Sequence, residues 1–204
     1  MLKSPQFLSD KLLIATGNKG KVKEFAKLFS LYAHDKNINL TTLDEFKALN
    51  IIEPEENADS FIANAELKAR YYNQITGLST LADDSGLCVD ALDGLPGIYS
   101  ARWAGENKDF TIAIKRIENE VGTKTKRAKF VCALSLCKQD QTIINVEGEV
   151  FGTLVFPAVG LAGFGYDPIF IPDGYTKTFG ELPAEVKEQI SHRAIAFKEL
   201  IKYI

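Results

Sequence analysis

Histidine and methionine are scarce in this chain of 204 residues, which contains two histidines, one methionine and three cysteines. Histidine-rich zinc sites, HExxH hydrolases and Cys/His finger clusters all need more of these side chains. Cys88, Cys132 and Cys137 lack CxxC spacing and are odd in number, which argues against a disulfide framework and for a reducing compartment. Any metal ion must therefore be held by oxygen ligands.

The chain also lacks an excess of positive charge, because 24 basic side chains stand against 27 acidic ones and the formal net charge is -3. Proteins that bind nucleic acids or anionic membranes through global charge carry a basic excess. No apolar run approaches the length of about 20 residues that spans a bilayer, and residues 1–10 lack the apolar stretch of a targeting segment. We therefore expect a cytoplasmic protein with no nucleic-acid or membrane partner, in which any recognition of phosphate is local.

The pattern of apolar residues predicts a mixed α/β sheet. In the first half, predicted strands at 12–15, 38–43 and 78–82 alternate with predicted helices at 22–32, 57–73 and 110–121. In the second half, residues 128–136 predict a strand, and residues 142–156 predict either one long antiparallel strand or a hairpin that turns at Glu147-Gly148. A helix closes the chain. Because no repeat or linker interrupts it, we expect residues 1–204 to form a single domain.

The first candidate site is a polar turn between a predicted strand and a predicted helix. It consists of Thr16, Gly17, Asn18, Lys19, Gly20 and Lys21. Free N–H groups at the start of a helix attract anions, glycine permits close approach of a phosphate, and the lysines add positive charge. The spacing is not that of a P-loop, because GxxxxGK[ST] is absent. An ordinary capped helix with a solvated basic first turn fits the same residues.

Carboxylates form the second candidate site. They are Glu53, Glu55, Glu56 and Asp59, followed later by Asp83 and Asp84. Mg²⁺ prefers oxygen ligands, usually one or two carboxylates together with waters and substrate phosphates. The pair Asp83-Asp84 is the more informative, because charge beside a buried strand carries a desolvation cost unless a partner compensates it. The glutamates also fit a solvated helix N-terminus, and Asp84 fits a turn or helix cap.

Aromatic and glycine residues alternate in the third candidate, Gly163-Phe164-Gly165-Tyr166-Asp167. Glycine on both sides of Phe164 leaves a ring face on which a nucleobase can stack, an interaction that contributes on the order of 1 to 3 kcal/mol. A hairpin turn with a core phenylalanine explains the same residues.

The fourth candidate is Lys187 with Ser191-His192-Arg193. In one continuous helix from residue 183 to 203, Arg193 would fall on the apolar stripe; alternatively, Ser191 caps a new helix. In both arrangements Arg193 points away from bulk water, towards a carbonyl-bearing ligand or a buried carboxylate.

Taken together, these segments resemble the inosine/xanthosine triphosphate pyrophosphatase family, whose members remove deaminated purine nucleotides. The matching segments are residues 15–21 with Glu24, 61–62 with 64–65 and 68–70, 82–87, Gly94 with 96–102, 163–170 and 190–193. Each segment alone is weakly specific, whereas six in this order, from residue 13 to about residue 200, are highly specific. The resemblance implies a mixed, strongly twisted central sheet with flanking helices and two lobes around a nucleotide-binding cleft.

The resemblance also implies a role for individual residues. The turn from Thr16 to Lys21 binds the triphosphate, Asp84 is the proton acceptor and a metal ligand, and Ser85 contacts the substrate. The acidic Mg²⁺ ligand before the second helix aligns best with Glu55, while Glu53 and Glu56 stay open because the spacing is loose there. The nucleotide-binding residues of the second half are Phe164, Gly165, Tyr166, Asp167, Lys187, His192 and Arg193.

The implied reaction is Mg²⁺-dependent hydrolysis of ITP, dITP or XTP to the monophosphate and pyrophosphate, in a homodimer. Hypoxanthine and xanthine present O6 as an acceptor, so a donor from His192 or Arg193 would favour them over adenine. Two alternatives stay open. One is a non-catalytic nucleotide-binding module, and the other is a pyrophosphatase of the related septum-inhibitor type, which prefers modified pyrimidines and UTP or dTTP.

Overall fold

The computed structural model describes residues 11–204, so the expectation that residues 1–10 contain no targeting segment lies outside the described residues. The strands are β1 (Lys11–Ile14), β2 (Asn39–Thr42), β3 (Ser79–Val89), β4 (Arg127–Cys137), β5 (Ile143–Leu154) and β6 (Phe170–Pro172). They form one sheet in the order β2-β1-β3-β4-β5-β6. Strand β1 pairs in parallel with β2 and β3, whereas β5 pairs antiparallel with β6. The predicted mixed α/β fold is confirmed.

The helices are α1 (Lys19–Tyr32), α2 (Phe61–Thr76), α3 (Ser100–Trp103), α4 (Phe110–Val121), α5 (Ala184–Ile190) and α6 (His192–Leu200). Side chains that accept backbone N–H groups cap the longer helices at Asn18, Ser60 and Asp109. Gly77, in the left-handed conformation with φ of 69°, ends α2 at Thr76, three residues beyond the predicted end at residue 73. Within residues 11–204, no helix has both the length and the apolar character that crossing a bilayer requires.

The described chain divides into two compact units. The first unit comprises the described residues up to Asp83 with Leu134–Val146 and Lys198–Ile204, and the second comprises Asp84–Ala133 and Glu147–Phe197. One core cluster of the first unit contains Leu13, Ala69, Tyr72, Ala82 and Cys137. The core cluster of the second unit collects side chains of α4, β4 and the 166–182 region, among them Ile117, Phe130, Ile169, Phe170 and Phe179. The single domain over residues 1–204 stays a prediction.

The structure corrects one predicted strand end and decides between two pairs of alternatives. Strand β3 extends to Val89, beyond the predicted end at residue 82, so Asp83 and Asp84 lie inside the strand. Strand β5 is continuous through Glu147-Gly148, which selects the long strand over the hairpin. A new helix begins after Ser191, whose Oγ accepts the N–H of Ala194 at 3.2 Å, so the capped-helix alternative is confirmed.

Candidate active site

The predicted phosphate-binding turn leads into α1 in the first unit. Asn18 is the N-cap, and its Oδ1 accepts the N–H groups of Gly20 at 2.8 Å and Lys21 at 3.3 Å. Thr16 Oγ1 in turn accepts the N–H of Asn18 at 3.2 Å. The first turn of α1 contains no acidic residue, while Lys19 and Lys23 are exposed. The turn thus combines a capped helix start with exposed positive charge, and the two interpretations of the sequence are compatible with each other.

Lys21 forms an ion pair with Asp83 in the same unit. Its Nζ lies 2.9 Å from Asp83 Oδ2, and the Asp83 side chain is fully buried. A buried carboxylate is tolerated when a charged partner compensates its desolvation. This pair explains why an aspartate lies inside a strand, and it holds the ammonium group of Lys21 at one place beside the turn.

Residues 52–58 run antiparallel to α2 and are tied to it at three points. The hydroxyl of Tyr71 donates to the carbonyl of Ile52 at 2.7 Å. Lys68 Nζ lies 3.0 Å from Glu56 Oε1, and Asn64 Oδ1 accepts the N–H of Ala58 at 3.0 Å. The segment that carries the candidate metal ligands is therefore an ordered strap along a helix.

The three glutamates of this segment have different surroundings. Glu53 and Glu55 are exposed, whereas Glu56 is half-buried and paired with the buried Lys68. Burial, with Glu53 and Glu56 as further causes, raises the pKa of Tyr72 to about 12. Glu55 stays the metal ligand that the resemblance predicts. Glu56, however, is the glutamate whose carboxylate is held in place by Lys68. Lys68 lies in a segment that matches the family, but sequence reasoning gave it no role.

The second unit contains the proposed proton acceptor, Asp84, which lies on β3 and is buried. Its Oδ1 accepts the N–H of Ser85 at 2.9 Å. Arg193 is only 1% exposed, and its Nη2 donates to Ser85 Oγ at 2.8 Å. The inward orientation predicted for Arg193 is confirmed, and the contact joins two of the sequence segments that are 108 residues apart.

Gly86, which follows Ser85, has a steric role. A Cβ atom at this position would lie 2.3 Å from the carbonyl oxygen of Gly97 and 2.4 Å from Ser100 Oγ. Ser100 Oγ accepts the N–H of Leu87 at 3.0 Å and donates to the carbonyl of Gly97 at 2.7 Å. Ser100 therefore fixes the strand directly after Asp84-Ser85, a function that its place in the sequence did not reveal.

Asp167 organises the aromatic-glycine segment. Its Oδ2 accepts the N–H of Phe164 at 2.7 Å and lies 2.6 Å from Lys187 Nζ. The same ammonium group lies 4.9 Å from the centroid of the Phe164 ring. A Cβ at Gly163, whose φ is 74°, would lie 2.0 Å from Asp167 Oδ2, so only glycine fits there. Three predicted nucleotide-binding residues are thus brought together.

Tyr166 instead faces the core of the second unit. It is 3% exposed, its hydroxyl donates to the carbonyl of Ser100 at 2.9 Å, and its ring packs edge-on against Phe110 with centroids 5.1 Å apart. Burial raises the pKa of Tyr166, which keeps the phenol protonated as a donor. The predicted contact of Tyr166 with the nucleotide stays a prediction, whereas its structural contacts are evident.

His192 begins α6 and stacks on Phe130. The two ring centroids are 4.8 Å apart and the planes differ by 11°. Gly148 on β5 lets the helix come close, because a Cβ there would lie 2.4 Å from both His192 O and Ala196 N. His192 is buried, so the predicted base-reading segment has a fixed orientation in the second unit. The role of Phe130 as its platform was not predicted.

Among residues 11–204, no group of three histidine, cysteine or acidic side chains is placed to hold a metal ion by itself. Such a cluster is not required for Mg²⁺ at a nucleotide, since substrate phosphates and waters complete its coordination.

The geometry agrees with comparisons to known proteins. The sequence profile of the Ham1 family matches residues 12–203, and the chain belongs to this family. The dITP/XTP pyrophosphatase of Zymomonas mobilis is 49% identical over 195 residues, covering 94% of this chain and 90% of that protein. The dITP/XTP pyrophosphatase of Rhodospirillum centenum is 50% identical over 200 residues, covering 96% of this chain and 95% of that protein.

Solved structures give the same result. The Staphylococcus aureus Ham1 protein superposes with a TM-score of 0.83 at 37% identity, covering 95% of this chain and 97% of that chain. The Coxiella burnetii HAM1 protein superposes with a TM-score of 0.80 at 31% identity, with the same coverage. The resemblance inferred from the six sequence segments is confirmed at the level of family and fold.

Proposed function

We propose that this protein hydrolyses deaminated purine nucleoside triphosphates, namely ITP, dITP and XTP, between the α- and β-phosphates. The products are the nucleoside monophosphate and pyrophosphate, and the reaction keeps these nucleotides out of DNA and RNA. The names of the curated relatives support the substrate class. The structural observation that carries the proposal is the hydrogen bond from Arg193 to Ser85, which joins the proposed base-reading segment to the residue after Asp84.

The triphosphate is bound, in this proposal, by the turn from Thr16 to Lys21. The N-terminal end of α1 carries partial positive charge, and three lysines of its first residues add to it. Lys21 is held at this place by Asp83, so its ammonium group needs little reorganisation to compensate charge that develops on the phosphates.

Mg²⁺ fits the donor chemistry of the proposed ligands, since Asp84 and the glutamates of residues 53–56 offer the hard oxygen atoms that this ion prefers. When bound, the ion supplies positive charge to phosphate oxygens and makes water a stronger acid. The alignment favours Glu55 as the glutamate ligand, and the contact with Lys68 favours Glu56.

In the proposed reaction, Asp84 acts as the general base. One of its oxygens accepts the N–H of Ser85, which fixes the orientation of the carboxylate. A carboxylate held in this way can orient a water molecule and accept its proton as the water attacks phosphorus. The oxygen of the broken anhydride bond leaves with pyrophosphate, and no covalent enzyme intermediate is needed.

Selectivity for the nucleobase comes, in this proposal, from a hydrogen-bond donor with a fixed position. Arg193 or His192 donates to O6 of hypoxanthine or xanthine, whereas the 6-amino group of adenine would place a donor against a donor. A buried donor without an acceptor costs about 1 to 3 kcal/mol, which corresponds to roughly tenfold to hundredfold discrimination. Phe164, held by Asp167 beside Lys187, supplies the ring on which the base stacks.

The decisive experiment is a pyrophosphate-release screen of the purified protein with Mg²⁺. ITP, dITP and XTP are compared with ATP, GTP, UTP and dTTP. We expect release from the three deaminated purines at least tenfold faster than from ATP. Equal turnover of ATP and ITP would contradict base reading at O6, and preference for UTP or dTTP would support the septum-inhibitor type. Light scattering after gel filtration measures whether the protein is the homodimer that the resemblance implies.

A further inference from the structure

Asn64 lies in the middle of the proposed site segment, although no part of the proposed chemistry uses it. It is fully buried on α2, where a polar side chain costs free energy unless it forms hydrogen bonds. Its Oδ1 accepts the N–H of Ala58 at 3.0 Å, and Ala58 precedes the helix rather than belonging to it. The buried amide therefore ties the preceding strap to the helix.

Lys68 lies one helical turn beyond Asn64, on the same face of α2. Its Nζ reaches Glu56 Oε1 at 3.0 Å, two residues before Ala58 in the strap. Asn64 thus fixes the backbone at one side of Glu56, and Tyr71 fixes it at the other side through the carbonyl of Ile52. Lys68 contacts the carboxylate itself.

We propose that Asn64 is a positioning residue that holds the strap so that the carboxylate of Glu56 keeps the orientation needed to bind the catalytic divalent cation. The inference rests on the proposed function, because it takes Glu56 as the glutamate ligand. A side chain of glutamate has three rotatable bonds, so a displacement of its backbone moves the oxygens away from the metal. Residues that orient metal ligands typically change metal affinity or activity by about 10- to 100-fold when they are removed.

The test compares Asn64→Ala with Asn73→Ala. Asn73 is also a buried asparagine of α2, but it donates to the carbonyl of Leu78 and accepts from Gln141. Both substitutions remove a buried amide from the same helix, and only the first releases Ala58. Titration with Mn²⁺ alone, followed by electron paramagnetic resonance, gives the affinity for the ion without turnover. The Mg²⁺ dependence of pyrophosphate release from ITP gives the half-saturating concentration.

We expect Asn64→Ala to weaken Mn²⁺ binding and to raise the half-saturating Mg²⁺ concentration by about tenfold or more. Asn73→Ala should lower the thermal midpoint and leave both metal constants near the wild-type values. Asn64→Asp, which keeps an oxygen acceptor for Ala58, should restore most of the affinity. If Asn64→Ala does not fold, Asn64→Ser takes its place, because its shorter side chain does not reach Ala58, with the same expected loss.

Unchanged metal constants in a folded Asn64→Ala or Asn64→Ser variant overturn the inference, as does an equal shift in Asn73→Ala. Failure of the proposed function is visible separately, because the wild-type protein would then release no pyrophosphate from ITP before any substitution is made.

Discussion

Lys187 Nζ lies 2.6 Å from Asp167 Oδ2, and the two side chains are 10% and 3% exposed. The same carboxylate oxygen accepts the N–H of Phe164. Asp167 therefore fixes the backbone of Phe164, the proposed stacking residue. Its partner Lys187 lies above the ring of the same residue.

Removal of this carboxylate should be far more costly than removal of an exposed one. Asp167→Asn removes the negative charge that pairs with the buried ammonium group of Lys187, and we expect the free energy of unfolding to fall by about 3 to 5 kcal/mol. Asp173→Asn is the matched control, because Asp173 forms an exposed pair with Arg127, and it should cost about 1 kcal/mol or less. Urea denaturation of both variants measures the difference. Similar losses would show that the buried pair does not organise the segment.

Asp84→Asn keeps the size of the side chain and removes its basicity. We expect turnover of ITP to fall by about 10²- to 10⁴-fold, the usual contribution of a general base, while nucleotide binding stays measurable by calorimetry. Asp140→Asn makes the same chemical change in the exposed turn between β4 and β5 and should leave turnover unchanged. Near-normal turnover of Asp84→Asn would exclude Asp84 as the proton acceptor.

Glu55→Gln and Glu56→Gln separate the two candidate metal ligands. Because Glu56 is half-buried and paired with Lys68 while Glu55 is exposed, we expect Glu56→Gln to raise the half-saturating Mg²⁺ concentration by about tenfold or more. Glu55→Gln should stay close to the wild type. A larger effect of Glu55→Gln than of Glu56→Gln would instead identify Glu55 as the metal ligand, as the family resemblance implies. The measurement is the turnover of ITP by both variants over a series of Mg²⁺ concentrations.

The Cys88 thiol should react slowly at neutral pH. Burial raises its pKa to about 11, so the thiolate is a smaller fraction than in a free cysteine with a pKa of about 8.5. We expect alkylation by iodoacetamide at pH 8 to be roughly 100-fold slower than for a free thiol, and to accelerate until the pH approaches 11. Cys88→Ser identifies the labelled residue in mass spectrometry. A rate that levels off near pH 9 would contradict the shift.

The sign of the corresponding effect on stability is fixed by linkage. The folded chain holds the Cys88 proton more tightly than the unfolded chain, so this contribution to stability is complete below a pH of about 8.5. It is lost as the pH rises towards the folded-state pKa of about 11.

Local sequence patterns predicted most elements of the fold because they record burial on one face of a helix or strand. The stripe of α4 and the buried strand β4 were evident in this way. The end of β3 was not, because Asp83 and Asp84 have the sequence pattern of a strand end. The ion pair with Lys21, which is distant in sequence, compensates the buried acid at position 83.

The candidate site was predictable where the type of residue itself suggested a role. Arg193 is an example, because an arginine at a buried position needs a polar partner. The site was not predictable where a side chain acts through a distant backbone group. Ser100 and Asn64 lie in segments that match the family, and Phe130 lies in a predicted strand. Their roles arise from tertiary contacts with Leu87, Ala58 and His192.

Gly86 has a consequence for how activities are transferred between related sequences. The glycine is required by its contact with Gly97 and Ser100, so this position reflects how β3 is packed rather than which reaction the protein catalyses. A homologue that kept the glycine and had lost the carboxylate at position 84 would keep this packing of β3. Family membership and catalytic competence are therefore separate properties, and the second has to be read from the acidic side chain itself.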